Sequence, residues 1–248
     1  MLLAIDVGNT TTSIGLFTGQ QLKEHFRLST LRERTPDEWG MGFAGLVGGR
    51  EIEGVMICSV VPPLNARLTE GIEKHLGQAA RFLDHRSSPI ELAVDEPSAV
   101  GSDRIANSIA AHHIYGVPTL VIDFGTATTF DLISPEGAFL GGAISPEMEL
   151  TAEMLVRQTA LLPTIELYPP KSVIGKDTAE SLRAGLVLGF IELISGLIRR
   201  FQEEYPQQLK IVATGGKGEL FYREIEAITE YDPYLTLRGL QIAWELYR

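Results

Sequence analysis

Ten residues near the start of the chain, Leu3-Ala-Ile-Asp-Val-Gly-Asn-Thr-Thr-Thr12, return 117 residues later as Leu120-Val-Ile-Asp-Phe-Gly-Thr-Ala-Thr-Thr129. Leu, Ile, Asp, Gly and the last two Thr stay in register. Each copy is an apolar run closed by an aspartate, then a glycine turn, then a β-branched run, which reads as strand, turn, strand. A third strand follows each copy, over 22–28 beyond Thr18-Gly19-Gln20 and over 138–144 beyond Pro135-Glu136-Gly137. A motif repeated together with its surroundings predicts duplicated domains, over 1–115 and 116–248, each of ordinary domain size. Two related lobes predict a cleft between them, where ligands settle. The expected class is α/β, with mixed sheets flanked by helices.

The rest of the pattern agrees with that class. Thr35-Pro36-Asp37-Glu38 is a helix start with a capping box. Residues 55–61 read as a buried strand, 64–76 as a helix behind Pro62-Pro63, 81–83 as a short strand and 101–115 as a helix. In the second half, strands are expected at 119–122, 126–133 and 209–213. Helices are expected from Ser145-Pro146-Glu147, over 178–205, after Gly216 and from Asp232-Pro233. The helix over 178–205 contains Gly185, Gly189 and Gly196, which predict close helix packing.

Charge and cysteine content narrow the partners. The formal net charge of −11 disfavours a nucleic-acid partner, and no Lys/Arg run suggests an anionic membrane surface. It leaves room for a nucleotide, because backbone N–H groups and a divalent cation neutralise phosphates locally. The apolar stretch 184–198 is interrupted by Glu192 and reads as a buried helix too short to span a bilayer. Met-Leu-Leu-Ala-Ile-Asp6 has no basic region, so no signal peptide is expected. The single cysteine, Cys58, fits a reducing, cytoplasmic setting and reads as a small buried hydrophobe without metal-ligand companions.

Four short motifs could carry chemistry. In Asp6-Val7-Gly8-Asn9-Thr10-Thr11-Thr12-Ser13 the glycine turn exposes N–H groups to a phosphate and the hydroxyls add donors. Asp6, at a strand end, could hold Mg2+ through water. Read alone the segment could equally be an ordinary hairpin; its second copy at Asp123 favours a phosphate site. Gly101-Ser102-Asp103-Arg104 opens a helix, where Asp103 could take a proton from a hydroxyl or merely cap, and Arg104 could grip a carboxylate. Gly141-Gly142-Ala-Ile-Ser145-Pro146 permits close approach of a ligand, and Gly175-Lys-Asp-Thr178-Ala-Glu180 is a capping signature whose hydroxyl could reach one. Thr214-Gly215-Gly216-Lys217 is no Walker loop, and could touch adenine or ribose or be a plain strand-to-helix turn. Gly40-Met-Gly42-Phe-Ala-Gly45 has the letters of a dinucleotide fingerprint but follows a helix start, so it is set aside. His112 and His113 lack metal spacing and read as structural.

Taken in order, Asp6-x-Gly-Asn-Thr, Gly101-Ser-Asp-Arg104, Asp123-Phe-Gly-Thr-Ala-Thr-Thr129, Gly141-Gly-Ala-Ile-Ser-Pro146, Thr178-Ala-Glu180 and Thr214-Gly-Gly216 resemble type III pantothenate kinase along essentially the whole chain. The resemblance implies duplicated actin-like (ribonuclease H-like) domains around an interdomain cleft. It implies transfer of the ATP γ-phosphoryl group to pantothenate, the first step toward coenzyme A, in a cytoplasmic homodimer whose substrate site lies near the interface. It also implies Mg2+ and a monovalent cation, K+ or NH4+. Carried over residue by residue, Asp6 to Ser13 and Thr126 would bind ATP, Asp6 would hold Mg2+ and Asp123 the monovalent cation. Asp103 would be the proton acceptor, with Gly101, Ser102, Asp103, Arg104 and Thr178 on pantothenate. The chain departs from the family at Ser102, where Ala is usual, at Val94, where a substrate-contacting Tyr is frequent, and at Glu147, where Gly is common. Its Gly175-Lys-Asp-Thr178 stands for the family's Gly-Asn-[Ser/Thr]-Thr run. An actin-like kinase for another small hydroxyl substrate, or a non-catalytic accessory homologue, would share most of these features.

Overall fold

The computed structural model of the chain describes residues 1–116 and 118–248. Its first sheet contains β1 (Leu2–Val7), β2 (Thr11–Thr18), β3 (Gln21–Ser29), β4 (Gly54–Ser59) and β5 (Ala80–Phe82) in the order β3-β2-β1-β4-β5. Its second contains β6 (Thr119–Phe124), β7 (Ala127–Ile133), β8 (Phe139–Pro146), β9 (Lys210–Thr214) and β10 (Glu230–Tyr231) in the order β8-β7-β6-β9-β10. The two orders are the same. Strand β1 is antiparallel to β2 and parallel to β4, which is parallel to β5; likewise β6 is parallel to β9 and β9 to β10. The sequence repeat is therefore a repeat of topology. In both sheets the recurring aspartate stands near the end of the central strand beside its parallel neighbour, Asp6 level with Cys58 and Asp123 level with Thr214. Ligands of open α/β sheets gather outside such carboxyl ends.

Both faces of the first sheet are covered, which is why β1 is a continuous apolar run rather than an alternating one. Leu3, Ile5 and Val7 point to one face, with Trp39 and Phe43 of α1 (Pro36–Val47) and Leu64, Leu68 and Ile72 of α2 (Pro62–Leu76). Leu2 and Ala4 point to the other, with Ile105 and Ile109 of α3 (Ser102–Ala110) and Leu237, Leu240 and Ala243 of α7 (Leu235–Leu246). Each fully buried aliphatic side chain stabilises by about 1.5–3 kcal/mol. The capping box at Thr35 and Glu38 forms as its spacing predicts. The Gly-x-Gly-x-x-Gly letters lie inside α1, where a Cβ on Gly40 would sit 2.3 Å from the carbonyl oxygen of Gly71 on α2. Gly40 serves helix packing, whereas a Cβ on Gly42 or Gly45 would meet nothing within 4 Å.

Three segments differ from the reading of the sequence. The helix over 101–115 is α3 followed by a wide π turn, Ala111–Tyr115. Strand β8 runs through Pro146, so α4 (Met148–Gln158) starts later and Glu147 is its N-cap. Helix α5 (Thr178–Glu204) is longer than the apolar run inside it, and by length and composition alone it could cross a membrane, with mean hydropathy 1.7 over its most apolar stretch. Its buried stripe is Ala184, Val187, Phe190, Ile194 and Ile198. A Cβ on Gly185, Gly189 or Gly196 would meet open space, so the close packing expected of these glycines is not made among the described residues.

Contacts divide the chain into two compact units, and not into the consecutive spans 1–115 and 116–248. Unit 1 is Met1–Val117, Asp131–Gly141 and Tyr234–Arg248; unit 2 is Pro118–Phe130 and Gly142–Pro233. The last helix returns to unit 1 because Leu237, Leu240 and Ala243 complete the core on the face of the first sheet that α3 covers. Unit 2 holds α4, α5 and α6 (Gly218–Glu224).

Candidate active site

In unit 1 the site begins at the turn after β1. The Gly8 N–H donates to the Thr11 carbonyl at 3.0 Å, and a Cβ on Gly8 would lie 2.9 Å from that oxygen. Its φ is not positive, so glycine is required here for closeness and not for an unusual backbone angle. Asn9, Thr10 and Thr11 are exposed at the turn, and Ser13 is half-buried. Two neighbours have other work. Val7 is core, and Thr12 is fully buried with its hydroxyl 2.8 Å from that of Thr30. That bond, with the Thr30 N–H on the Thr10 carbonyl, ties the turn to the segment after β3. The same segment carries Arg32, whose Nη2 reaches Asn9 Oδ1 at 3.3 Å. This cation beside the turn has no signature in the sequence, being 23 residues away along the chain.

Cys58 joins this turn to the proposed base. It is fully buried, and its Sγ donates to Asp6 Oδ1 at 3.3 Å. Burial pushes its thiol well above the usual range, and the negative charges of Asp6 and then Asp103 push it further. Asp6 thus contacts the thiol directly, and Asp103 is near enough for its charge to act on it. Cys58 is more than the small hydrophobe its context suggests, because it donates to the carboxylate expected to hold a metal.

Asp103 is placed by its two predecessors. Gly101 is the N-cap of α3 and makes no side-chain cap. A Cβ there would sit 2.5 Å from Asp103 Oδ1, so glycine lets the carboxylate fold back over the helix start. Ser102 accepts from the Ser59 N–H at 2.8 Å and donates to the Ser59 carbonyl at 3.1 Å. The Ser102 hydroxyl therefore latches α3 to the end of β4. Asp103 Oδ1 accepts the Arg104 N–H at 2.8 Å. Burial raises the Asp103 carboxyl above its ordinary range, against the lowering effect of that N–H and of the Arg104 charge. A carboxylate made more basic by partial desolvation is suited to taking a proton from an alcohol.

Arg104 is held from β7 and β8. Its Nε donates to Asp131 Oδ1 at 2.7 Å and its Nη2 lies 2.5 Å from the same oxygen. The guanidinium carbon stands 5.2 Å from the centre of the Phe139 ring. Phe139 also pairs through its backbone with Glu91 and Ala93. Val94 follows that pairing, and its Cγ1 would lie 3.5 Å from a Cβ on Gly141. The chain thus gathers Val94, Gly141, Phe139 and Arg104 in unit 1.

Unit 2 carries the second aspartate. Asp123 is half-buried beside Gly215, whose φ is +90° and whose added Cβ would meet Asp123 Oδ1 at 2.6 Å and the Phe124 carbonyl at 2.5 Å. Only glycine fits there. Thr126 is exposed, whereas Thr128 is fully buried. A cavity of about 460 Å3 opens beside Gly216 and Lys217, lined also by Met148, Leu167 and Phe221. Lys217 Nζ pairs with Glu147 at 2.9 Å and Glu149 at 2.6 Å, and Glu147 Oε2 accepts from the N–H groups of Glu149 and Leu150. Glu147 thus caps α4 and fixes the lysine after the glycine pair. Thr178 is exposed as the first residue of α5; Asp177 is the cap, accepting from Glu180 N–H at 2.8 Å. His113 Nδ1 lies 2.9 Å from the Ile109 carbonyl, and the His112 ring packs under Gly137, as structural residues do. Among the described residues no three His, Cys, Asp or Glu cluster as a ready metal site.

Comparison with known proteins finds relatives along the whole chain. The family model for type III pantothenate kinase matches residues 2–200. A type III pantothenate kinase of Moorella thermoacetica is 43% identical over 251 aligned residues, covering 99% of each chain. Among solved structures, a protein of Campylobacter jejuni described as a Baf family transcriptional activator superposes with TM-score 0.66 at 20% identity, covering 99% of this chain and 98% of its own. An inorganic polyphosphate/ATP-glucomannokinase of Arthrobacter superposes with TM-score 0.54 at 15% identity, covering 100% and 99%. At these identities the two structures are evidence of the fold alone.

Proposed function

The chain belongs to the type III pantothenate kinase family, and from that premise we propose how its own residues carry the family's reaction, the ATP-dependent phosphorylation of pantothenate to 4′-phosphopantothenate that opens coenzyme A biosynthesis. The observation that carries the proposal is that Asp6 and the helix start bearing Asp103 stand at one carboxyl edge of the first sheet, Asp6 bonded to Cys58 and Ser102 to the adjoining Ser59. A phosphate turn and a base on one edge are what phosphoryl transfer needs, since that reaction asks for alignment and charge neutralisation more than covalent help.

In this reading the N–H groups and exposed hydroxyls of Gly8, Asn9, Thr10 and Thr11 cradle the ATP phosphates, while Thr12 and Val7 keep the turn in place. Arg32, through Asn9, adds positive charge at the turn. The primary hydroxyl of pantothenate attacks the γ-phosphorus. A P–O bond to that oxygen forms as the bond to the β,γ-bridging oxygen breaks, ADP leaves, and the hydroxyl proton passes to the Asp103 carboxylate. Arg104 holds the pantothenate carboxylate, with Gly101 and Thr178 against the substrate and Ser102 acting through its latch to Ser59. Thr126 contacts the nucleotide, and the cavity beside Gly216 is large enough to admit its base.

Kinase chemistry with ATP calls for a divalent metal. The half-buried carboxylate of Asp6 suits Mg2+, which prefers one or two carboxylates together with phosphate oxygens and water. Bound there, Mg2+ would neutralise charge that develops on the transferred group. Asp123 is the residue for a monovalent cation, K+ or NH4+. A homodimer is supported by α5, whose Gly185, Gly189 and Gly196 leave open space and whose Leu193 is exposed on an apolar helix. Such a surface is better covered by a second copy than by water. The acidic charge and single reduced cysteine support a cytoplasmic location.

A coupled assay of ADP release tests the proposal. Pantothenate should drive turnover, faster with K+ or NH4+ than with Na+. Asp103→Asn should bind ATP normally and lose roughly 100- to 10,000-fold in kcat, the usual contribution of a general base. Normal turnover by that variant removes Asp103 from the mechanism, and turnover with another alcohol but not with pantothenate reassigns the substrate.

A further inference from the structure

We infer that Asp131 is a positioning residue, whose buried carboxylate clamps the Nε–Nη2 edge of Arg104 so that the guanidinium offers its other edge to the substrate carboxylate. This rests on the assignment of Arg104 to the pantothenate carboxylate. Asp131 has no solvent exposure, and its Oδ1 receives both Nε and Nη2 of Arg104. A buried carboxylate is costly unless paired, so its retention in the middle of β7 needs a return. Stability alone is a poor explanation, since buried ion pairs add little over apolar packing. The return is geometric. A guanidinium is planar and has two edges that each match a carboxylate. Asp131 occupies one edge and the Phe139 ring lies against the group at 5.2 Å, so the rotation of the plane is set before substrate arrives. An arginine fixed in this way has already lost its rotamer freedom during folding, and binding does not spend it again.

The arrangement also makes a chemical distinction. Asp131 cancels the net charge of Arg104, which weakens nonspecific attraction for anions and leaves directional hydrogen bonding as the means of recognition. Loss of Asp131 should therefore harm a carboxylate substrate and spare a neutral one.

The test compares pantothenate with its neutral alcohol analogue, in which CH2OH replaces the carboxylate, for Asp131→Ala, Asp131→Asn and Arg104→Met. Asp131→Ala should raise KM for pantothenate by about 10- to 100-fold, the range expected when a charge-assisted hydrogen-bond arrangement is lost. The ratio of kcat/KM for pantothenate to that for the alcohol should fall by a comparable factor. Asp131→Asn keeps an oxygen at the Oδ1 position and should fall between wild type and Asp131→Ala. If Arg104→Met leaves KM for pantothenate unchanged, the assignment of Arg104 is wrong. If Arg104→Met raises it and folded Asp131→Ala does not, Arg104 keeps its role and the positioning role of Asp131 is overturned. Should the Asp131 variants fail to fold, the Arg104 Nε–H resonance of the wild-type protein decides, identified by its absence from Arg104→Met. A slowly exchanging signal that shifts on addition of pantothenate supports the clamp, and a rapidly exchanging, averaged signal overturns it.

Discussion

Gly239 offers a sharp test of how α7 holds α3, the helix that carries the proposed base. A Cβ built on Gly239 would lie 1.9 Å from the Ala106 carbonyl oxygen and 2.5 Å from its carbon. Carbon–oxygen contacts settle near 3.3 Å, so Gly239→Ala asks α3 and α7 to separate by about 1.4 Å. Backbone atoms cannot turn aside as the end of a side chain can, and Thr236 fastens the same crossing by donating to Asn107 Oδ1 at 2.8 Å. Overpacking of this kind costs about 1–3 kcal/mol. For a chain of this size each kcal/mol lowers Tm by about 2–4 °C, so the melt should fall by about 2–12 °C. Asp103 lies on the same helix, one turn before Ala106, and a shift of about 1 Å at a reacting group can cost 100-fold in rate. Circular dichroism melts and steady-state kinetics with ATP and pantothenate measure both effects. Gly45→Ala is the control: its Cβ meets nothing within 4 Å on the exposed side of α1, and it should stabilise by up to about 1 kcal/mol through helix propensity. Wild-type melting and turnover in Gly239→Ala would refute the reasoning.

Three further outcomes are expected. Because burial raises the Asp103 carboxyl, its folded form binds a proton more tightly than its unfolded form, and ionised Asp103 costs stability at neutral pH. Asp103→Asn should therefore be more stable than wild type at pH 7 in urea titrations, with the gap closing as pH falls through the folded pKa toward the unfolded value of about 3.9; a variant less stable at every pH contradicts this. The Cys58 thiol, buried and pushed up by two carboxylates, should resist iodoacetamide at pH 8 in the native protein and react in denaturant; labelling of the native protein at the rate of a free thiol would place it elsewhere. Glu147→Ala removes the cap of α4 together with a partner of Lys217 and should cost about 0.5–2 kcal/mol, read from the chemical denaturation midpoint, whereas no change would mean that the cap contributes nothing.

Much of the fold was legible because it is encoded locally. The capping box at Thr35 and Glu38, the glycine turns and the paired Asp strand ends each depend on residues within a few positions. The offset repeat went further and announced two sheets of the same strand order. Where a polar side chain lands was less legible. Within the phosphate motif nothing marks Thr12 as a brace and Thr11 as exposed; strand pairing and burial against Thr30 decide it. Helix α4 starts later than Ser145-Pro146-Glu147 predicts, because β8 runs through Pro146 and Glu147 supplies the cap.

By itself the sequence determined the repeated strand-turn, the acidic and single-cysteine character, and the residue types from which a phosphate turn and a base could be made. Tertiary structure alone decided that Cys58 donates to Asp6 across 52 residues, that Ser102 latches to Ser59 across 43, that Asp131 reaches Arg104 across 27, and that the final helix closes the first core. The physical reason is range. Caps and turns follow from dihedral preferences of neighbouring residues, whereas these partners meet only once strand order and helix crossings bring remote segments together.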